Sequence, residues 1–264
     1  SRMGNAFYRH FRTTDSMSLH ISSVLRASGR KLFSRTGAIL LLAYMAFTGA
    51  VIPLSNTMMA RIYEQGGFTE ATGAIPLVLD LPLSVAVGGY FVGLLIGFYL
   101  SIVAIRTFVS GDGSSFPSGA FTRNVPFALV NVAVGGFVYF LLITVGFVLL
   151  FIPGLIAYVA FLFMMPYIVV EDRNFVDGLR SSYRLSKGNW LMLGVLLLVV
   201  IGFGAVIGFV GGLTSGLLLP PAFGQLSLVI IQAPVSLISL AVIAVAFNQL
   251  REDEPDSSDG PAPT

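Results

Sequence analysis

The sequence predicts an all-helical, polytopic membrane protein: a bundle of six transmembrane spans preceded by an amphipathic interfacial helix. Three observations carry this prediction. Of 264 residues, 55% are hydrophobic and 11% are charged, whereas a soluble domain carries about a quarter charged residues. Six apolar runs are each close to the roughly 20 residues that a helix needs to cross a bilayer. The basic residues that separate these runs fall almost entirely in alternate connections.

Six spans account for nearly all of the apolar sequence. The third and fourth are separated by little more than a turn at Pro153 and Gly154, so we expect a tight hairpin there. The fifth continues its apolar character through a glycine-rich stretch to Leu219. The predicted spans cover residues 37–58, 81–105, 126–151, 153–170, 190–210 and 226–250.

The basic residues predict the orientation of the bundle. Fourteen of the 15 Lys and Arg residues precede the first span or lie in every second connection after it, and only Arg61 lies on the other side. Cytoplasmic loops are the ones enriched in Lys and Arg. We therefore expect a multi-pass protein of the cell membrane with both termini in the cytoplasm. The predicted cytoplasmic segments are residues 1–36, 106–125, 171–189 and 251–264.

The chain divides into three parts on this reading. Residues 1–36 form a basic cytoplasmic segment, in which apolar residues recur at helical spacing over 14–31. This helix either lies on the inner leaflet or packs under the bundle, and the two arrangements are compatible. Residues 37–250 form the transmembrane domain. Residues 251–264 are acidic and proline-rich without an apolar period, which predicts a disordered cytoplasmic tail.

Two clusters of basic residues just ahead of the first and fifth spans are candidate lipid contacts. Each juxtamembrane Lys or Arg contributes roughly 1 kcal/mol of attraction to an anionic surface. We expect these side chains to contact head-group phosphates or the carboxylates of Glu171, Asp172 and Asp177, unless they are solvated topology signals only. The clusters consist of Arg26, Arg30, Lys31, Arg35, Arg180, Arg184 and Lys187.

Small residues recur every four positions along two spans. This spacing places them on one helix face, where they allow two helix backbones to approach closely. The stripes pack either within this chain, which we favour, or between chains. In the second case the partner is a second copy of the chain or another membrane protein. Together with the basic clusters, the expected partners are therefore anionic lipids and, if the stripes pack between chains, one of these proteins. The two stripes are Gly89, Gly93, Gly97 and Ser101 in the second span, and Gly204, Gly208, Gly212 and Gly216 in the fifth.

Residue types that commonly form catalytic or metal-binding sites, such as cysteine and histidine, are scarce. The chain has no cysteine and two histidines, His10 and His20, both ahead of the first span. It shows no phosphate-binding loop and no nucleophile elbow. We therefore expect no catalytic, cofactor-binding or metal-binding residue, no enzyme activity and no nucleic-acid partner. A cysteine-free chain with an acidic tail suggests a prokaryotic host, with a halophilic archaeon as one candidate.

Residues 166–190 have a distinctive order, in which a proline-containing span ends in an apolar-acidic run and a short helix precedes the next span. The residues that carry this order are Pro166, Val170, Glu171, Leu179, Ser182, Leu185 and Gly188. The segment resembles the membrane domain of glycerophosphodiester phosphodiesterases and related free-standing polytopic membrane proteins, although Gly178 and Tyr183 depart from that family's usual Ala and Trp. The resemblance implies a membrane module without the soluble catalytic domain, and it supplies no catalytic residue.

Two hypotheses for function follow. The first is a non-catalytic membrane protein that acts as a scaffold, a lipid-organising element or an accessory subunit. The second is a channel or carrier for a small or amphipathic solute, because Pro166 and Pro234 interrupt two spans and because Asn131 and Gln232 lie within apolar runs. A polar cavity near Gln232 would favour transport, and a closed apolar core would favour a scaffold.

Overall fold

The computed structural model describes residues 20–111, 113–149 and 151–252, and these ranges contain ten helices and no strand. Most connections between the helices are short. The predicted tail beyond Glu252 and the residues before His20 lie outside the described ranges. The helices are α1 (Ile21–Leu32), α2 (Arg35–Gln65), α3 (Thr69–Thr72), α4 (Leu83–Ser110), α5 (Val125–Leu149), α6 (Phe151–Ala160), α7 (Met164–Glu171), α8 (Phe175–Ser186), α9 (Trp190–Leu218) and α10 (Pro221–Glu252).

Six helical segments within the described residues are long and apolar enough to cross a membrane, which confirms the predicted fold class. Five of them are single helices, and the fourth consists of α6 and α7 in succession over Ile152–Glu171. Large apolar side chains are exposed along the outside of the bundle. Exposed apolar surface of this extent marks contact with a partner or a membrane. Examples are Phe91, Phe137, Phe140, Phe203 and Phe209.

The spans alternate in direction, so the basic connections gather at one end of the bundle. Lys31 donates a hydrogen bond to the carbonyl of Phe108, and Thr36 donates to the carbonyl of Gly113. These contacts join the start of α2 to the end of α4. We call this the basic end, defined by the start of α2 and the ends of α4, α7 and α10. At the opposite end Arg61 forms an ion pair with Asp80.

The buried core lies mainly toward the basic end. One cluster joins α2, α4 and α10 and includes Tyr44 and Phe108. A second joins α4, α5 and α7 and includes Ile105 and Ile168. The third and largest gathers side chains from α1 and from α6 to α10; its bulkiest members are Phe163, Tyr167, Leu193, Leu196 and Phe247.

The amphipathic helix α1 packs under the bundle. Val24 and Ser28 are buried on one face, and Arg26 and Arg30 are exposed on the other. Ser23 accepts a hydrogen bond from the side-chain amide of Gln249 near the end of α10, at 2.8 Å. The apolar face of α1 is therefore used against the protein, while its basic face remains open.

Candidate functional site at the basic end

A buried arginine joins three segments at the basic end. Arg106 lies in the last turns of α4 and is 7% exposed. Its Nε donates to the carbonyl of Val169 at 2.7 Å, and its Nη1 donates to the carbonyl of Ala120 at 3.3 Å. Val169 belongs to α7, and Ala120 lies between α4 and α5. Because a buried guanidinium requires acceptors, these carbonyls fix the α4–α5 connection against the end of the fourth span.

Asp172 places a carboxylate between two arginines. It follows α7 with a left-handed backbone, φ 53°, which ends the helix and turns the chain toward α8. Its Oδ2 lies 2.9 Å from Nη2 of Arg123, and its Oδ1 lies 3.9 Å from Nη2 of Arg106. The longer distance exceeds hydrogen-bond range. Nη2 of Arg106 and Oδ1 of Asp172 are thus buried without a hydrogen-bond partner in the described part of the chain.

A second ion-pair network lies around Glu171. Its two carboxylate oxygens meet Nε of Arg173 at 2.7 Å and Nη2 of Arg251 at 3.2 Å. The guanidinium of Arg173 also stands over the ring of Tyr167, and that of Arg251 over the ring of Phe247, each at 5.1 Å from the ring centroid. The end of α10 is thereby held against the end of α7.

The fourth span is interrupted where α6 gives way to α7. Pro166 cannot donate a backbone hydrogen bond, and the helix is broken over residues 161–163, one turn before it. The hydroxyl of Ser182 accepts from the N–H of Phe163 and donates to the carbonyl of Ala160, both at 2.9 Å. Ser186 donates to the carbonyl of Val159 at 3.3 Å. The serines of α8 therefore bond to three of the backbone groups at the break.

Asn131 connects α5 to the start of α8. Its Oδ1 accepts a hydrogen bond from the backbone N–H of Phe175 at 2.9 Å, and its Nδ2 donates to the carbonyl of Phe127 at 2.9 Å. Phe175 is the first residue of α8, where backbone N–H groups lack helical partners. Asn131 is buried, whereas Gln232 on α10 is exposed. The two amides predicted to share a solute path lie in different surroundings.

The basic residues predicted to contact lipid head groups are mostly open. All but Lys31 are exposed, and none of these exposed residues forms an ion pair within the described part of the chain. Lys31 is half-buried, and this burial lowers the pKa of its ammonium group. The expected pairing with Glu171 and Asp172 is wrong, because those carboxylates are taken by Arg106, Arg123, Arg173 and Arg251. Asp177 instead accepts a hydrogen bond from Asn174.

The glycine stripe of α4 faces α2. The hydroxyl of Ser101, at the end of the stripe, lies 2.9 Å from that of Tyr44. A Cβ added to any of the three glycines would lie 3.2 Å or less from a side chain of α2. The contacting pairs are Gly89 with Leu54, Gly93 with Val51, and Gly97 with Phe47.

The glycine stripe of α9 has different surroundings. A Cβ on Gly204 would lie 3.1 Å from Cγ1 of Val235, but Gly208, Gly212 and Gly216 have nothing within 4 Å of that position. The close approach of α9 to α10 occurs instead at Gly211, which lies outside the predicted stripe and where a Cβ would collide with Ile231. Periodicity alone does not indicate which face of α9 meets a neighbour.

Sequence reasoning did not single out Arg106 and Arg123 as functional residues, since each was counted only as a topology charge. A signal was present for Arg106, which lies in the last turns of an otherwise apolar helix. A charge in such a position is costly unless it is paired. Its hydrogen-bond partners, however, are backbone carbonyls, which every residue has, so the sequence does not show which of them Arg106 contacts.

Residues 19–250 match DUF7847, a domain of unknown function. The chain belongs to this family. No curated protein and no solved structure matches it. The DUF7847 match therefore assigns the chain to a family without a known function, and nothing in these comparisons links it to the membrane domains of glycerophosphodiester phosphodiesterases.

Proposed function

We propose that this DUF7847 protein is a non-catalytic integral membrane protein that acts as a scaffold or accessory subunit and organises anionic lipid at its basic end. One observation carries the proposal. In the described residues, several buried polar side chains bond to the backbone of neighbouring segments, as Asn131 of α5 does with Phe175 and Ser182 of α8 with Ala160 and Phe163. These polar side chains therefore hold neighbouring helices together.

The orientation is part of the proposal. The basic end carries the connections rich in Lys and Arg, and such connections stay in the cytoplasm. We assign both termini and the basic end to the cytoplasmic side of the cell membrane. The acidic pair Glu64 and Asp80 and their partner Arg61 then lie at the outer end.

Anionic lipid is the proposed partner of the exposed basic residues. Arg26 and Arg30 project from α1, while Arg180, Arg184 and Lys187 project from α8 and its end. Since these residues have no carboxylate partner in the described part of the chain, their donors are open to head-group phosphates. A charge-assisted contact to phosphate is stronger than a neutral hydrogen bond.

Solute flux across the bilayer of sealed liposomes distinguishes a scaffold from a carrier. The protein is reconstituted in liposomes that contain anionic lipid, and stopped-flow light scattering follows shrinkage against a panel of small solutes. We expect the same permeability as in protein-free liposomes, together with retention of anionic lipid by the purified protein in native mass spectrometry. Solute flux that Asn131→Leu or Gln232→Leu abolishes would contradict the scaffold and establish the carrier.

A further inference from the structure

A cavity of about 160 Å³ opens at the basic end, between the end of α4 and the connection to α5. By this measure a single water needs about 10–15 Å³, so the space admits a polyatomic ion together with several waters. Two arginines and two serines contribute to its wall. The side chains that give it polar character are Arg106, Ser110, Ser118 and Arg123.

The cavity carries a positive charge. Arg106 and Arg123 both line it, and Asp172 is the one carboxylate that forms an ion pair with either of them in the described chain. Two cations against one anion leave an excess of one positive charge. Oδ2 of Asp172 pairs with Arg123, while Nη2 of Arg106, in a side chain more than nine-tenths buried, has no hydrogen-bond acceptor.

Arg123 has hydrogen-bond donors that no acceptor in the described part of the chain uses. Its Nη2 serves the carboxylate of Asp172 and the carbonyl of Val170, and its Nε and Nη1 form no hydrogen bond in the described residues. Its side chain is 50% exposed, so these N–H groups can be reached from the cytoplasmic side. The guanidinium edge formed by two such N–H groups binds an oxyanion in a bidentate manner.

The loop that closes the cavity also presents donors. Gly119 has φ 78°, which turns the chain so that the N–H groups of Thr122 and Arg123 both reach its carbonyl. The N–H groups of Ser118 and Gly119 form no hydrogen bond in the described part of the chain. The hydroxyl of Ser118 is likewise unpaired there, and this residue is exposed. The residues that line the cavity therefore carry guanidinium, hydroxyl and backbone N–H groups without a partner in the described part of the chain.

We propose that the cavity lined by Arg106, Ser118, Gly119 and Arg123 binds a phosphate group. Donors of three kinds, contributed by α4 and by the α4–α5 connection, suit a tetrahedral ion with several acceptor oxygens, whereas a flat carboxylate uses one guanidinium edge. The phosphate belongs either to a lipid head group at the membrane surface or to a soluble compound. Both can reach the cavity, because it lies at the end of a span and opens to the surface of the protein. This site is separate from the exposed basic residues of α1 and α8 and does not depend on the scaffold role.

Two binding measurements separate the sources. The protein in nanodiscs of zwitterionic lipid is titrated with inorganic phosphate against chloride at equal ionic strength, and its unfolding midpoint is followed by the fluorescence of Trp190. In the second arm, native mass spectrometry measures retention of phosphatidic acid added as a minor lipid. We expect a rise in midpoint with phosphate if the ligand is soluble, and retained phosphatidic acid if it is a lipid. A ligand that binds only the folded protein raises its stability in either case.

Matched variants assign the response to the cavity. Arg123→Gln and Ser118→Asp should weaken binding by about tenfold or more, because one removes a charged donor and the other adds a negative charge to the wall. Arg61→Gln at the opposite end and Ser114→Asp on the same connection should bind like the parent. The proposal is overturned if neither phosphate nor phosphatidic acid binds, or if all four variants respond alike.

Discussion

Ser182 on α8 accepts a hydrogen bond from the N–H of Phe163 at 2.9 Å, at the point where α6 gives way to α7. The same hydroxyl donates to the carbonyl of Ala160. One short side chain thus bonds to two backbone groups at the break that precedes Pro166. The break and α8 are therefore joined directly, because α8 docks where the fourth span is open and supplies the hydroxyl that bonds to both groups.

Replacing this hydroxyl should be costly. Ser182→Ala leaves a buried N–H and a buried carbonyl without partners, and we expect it to lower the free energy of unfolding by about 1–3 kcal/mol. Unfolding in detergent can be followed by Trp190, the single tryptophan. Ser239→Ala is the control, since within the described residues its hydroxyl bonds only to the carbonyl of Val235, one turn earlier in the same helix. Equal losses in the two variants would mean that Ser182 does not hold the break.

Asn131 should stabilise α8 from outside that helix. Asn131→Leu removes the acceptor of the Phe175 N–H, and losing such a cap costs about 0.5–2 kcal/mol. We expect lower stability and faster amide exchange in the first turn of α8. Gln232→Leu replaces an exposed amide of the same chemistry on α10 and should not lower stability. Unchanged exchange at Phe175 in Asn131→Leu would argue against the cap.

The two glycine stripes should respond differently to the same substitution. Gly93→Leu introduces a side chain where a Cβ alone would lie 2.8 Å from Val51, and overpacking of this kind costs about 1–3 kcal/mol. Gly208→Leu meets open space within the chain and should leave the stability of the monomer unchanged. Light scattering in detergent measures the oligomeric state of the Gly208→Leu variant. If this substitution converts an oligomer to a monomer, the α9 stripe packs between chains. Equal destabilisation by both variants would contradict the difference between the two faces.

Labelling of single cysteines tests the orientation. Ser114 and Glu70 are exposed at opposite ends of the bundle, and the chain has no native cysteine. In intact cells a membrane-impermeant maleimide should label Glu70→Cys and should label Ser114→Cys only after permeabilisation. Ser182 is unsuitable for this test, because its side chain is buried. Labelling of Ser114→Cys from outside would reverse the proposed topology.

The sequence by itself determined the class of the fold and the number of spans. A span must be apolar along its length and must satisfy most of its backbone hydrogen bonds within its own helix, and both requirements are local. The predicted boundaries therefore lie near those of the structure at the start of the third span, residue 126 against Val125, and depart more at the end of the first, residue 58 against Gln65. Helix ends that extend beyond the apolar core carry no such constraint.

Only the tertiary structure decided which helices meet and which polar groups join them. Asn131 pairs with a backbone N–H 44 positions away, and Arg106 with a carbonyl 63 positions away. Backbone partners have no sequence signature, and an apolar helix surface gives the same pattern whether it faces lipid or protein. For that reason Gly93 and Gly208, which belong to similar stripes, lie against Val51 in one case and in open space in the other.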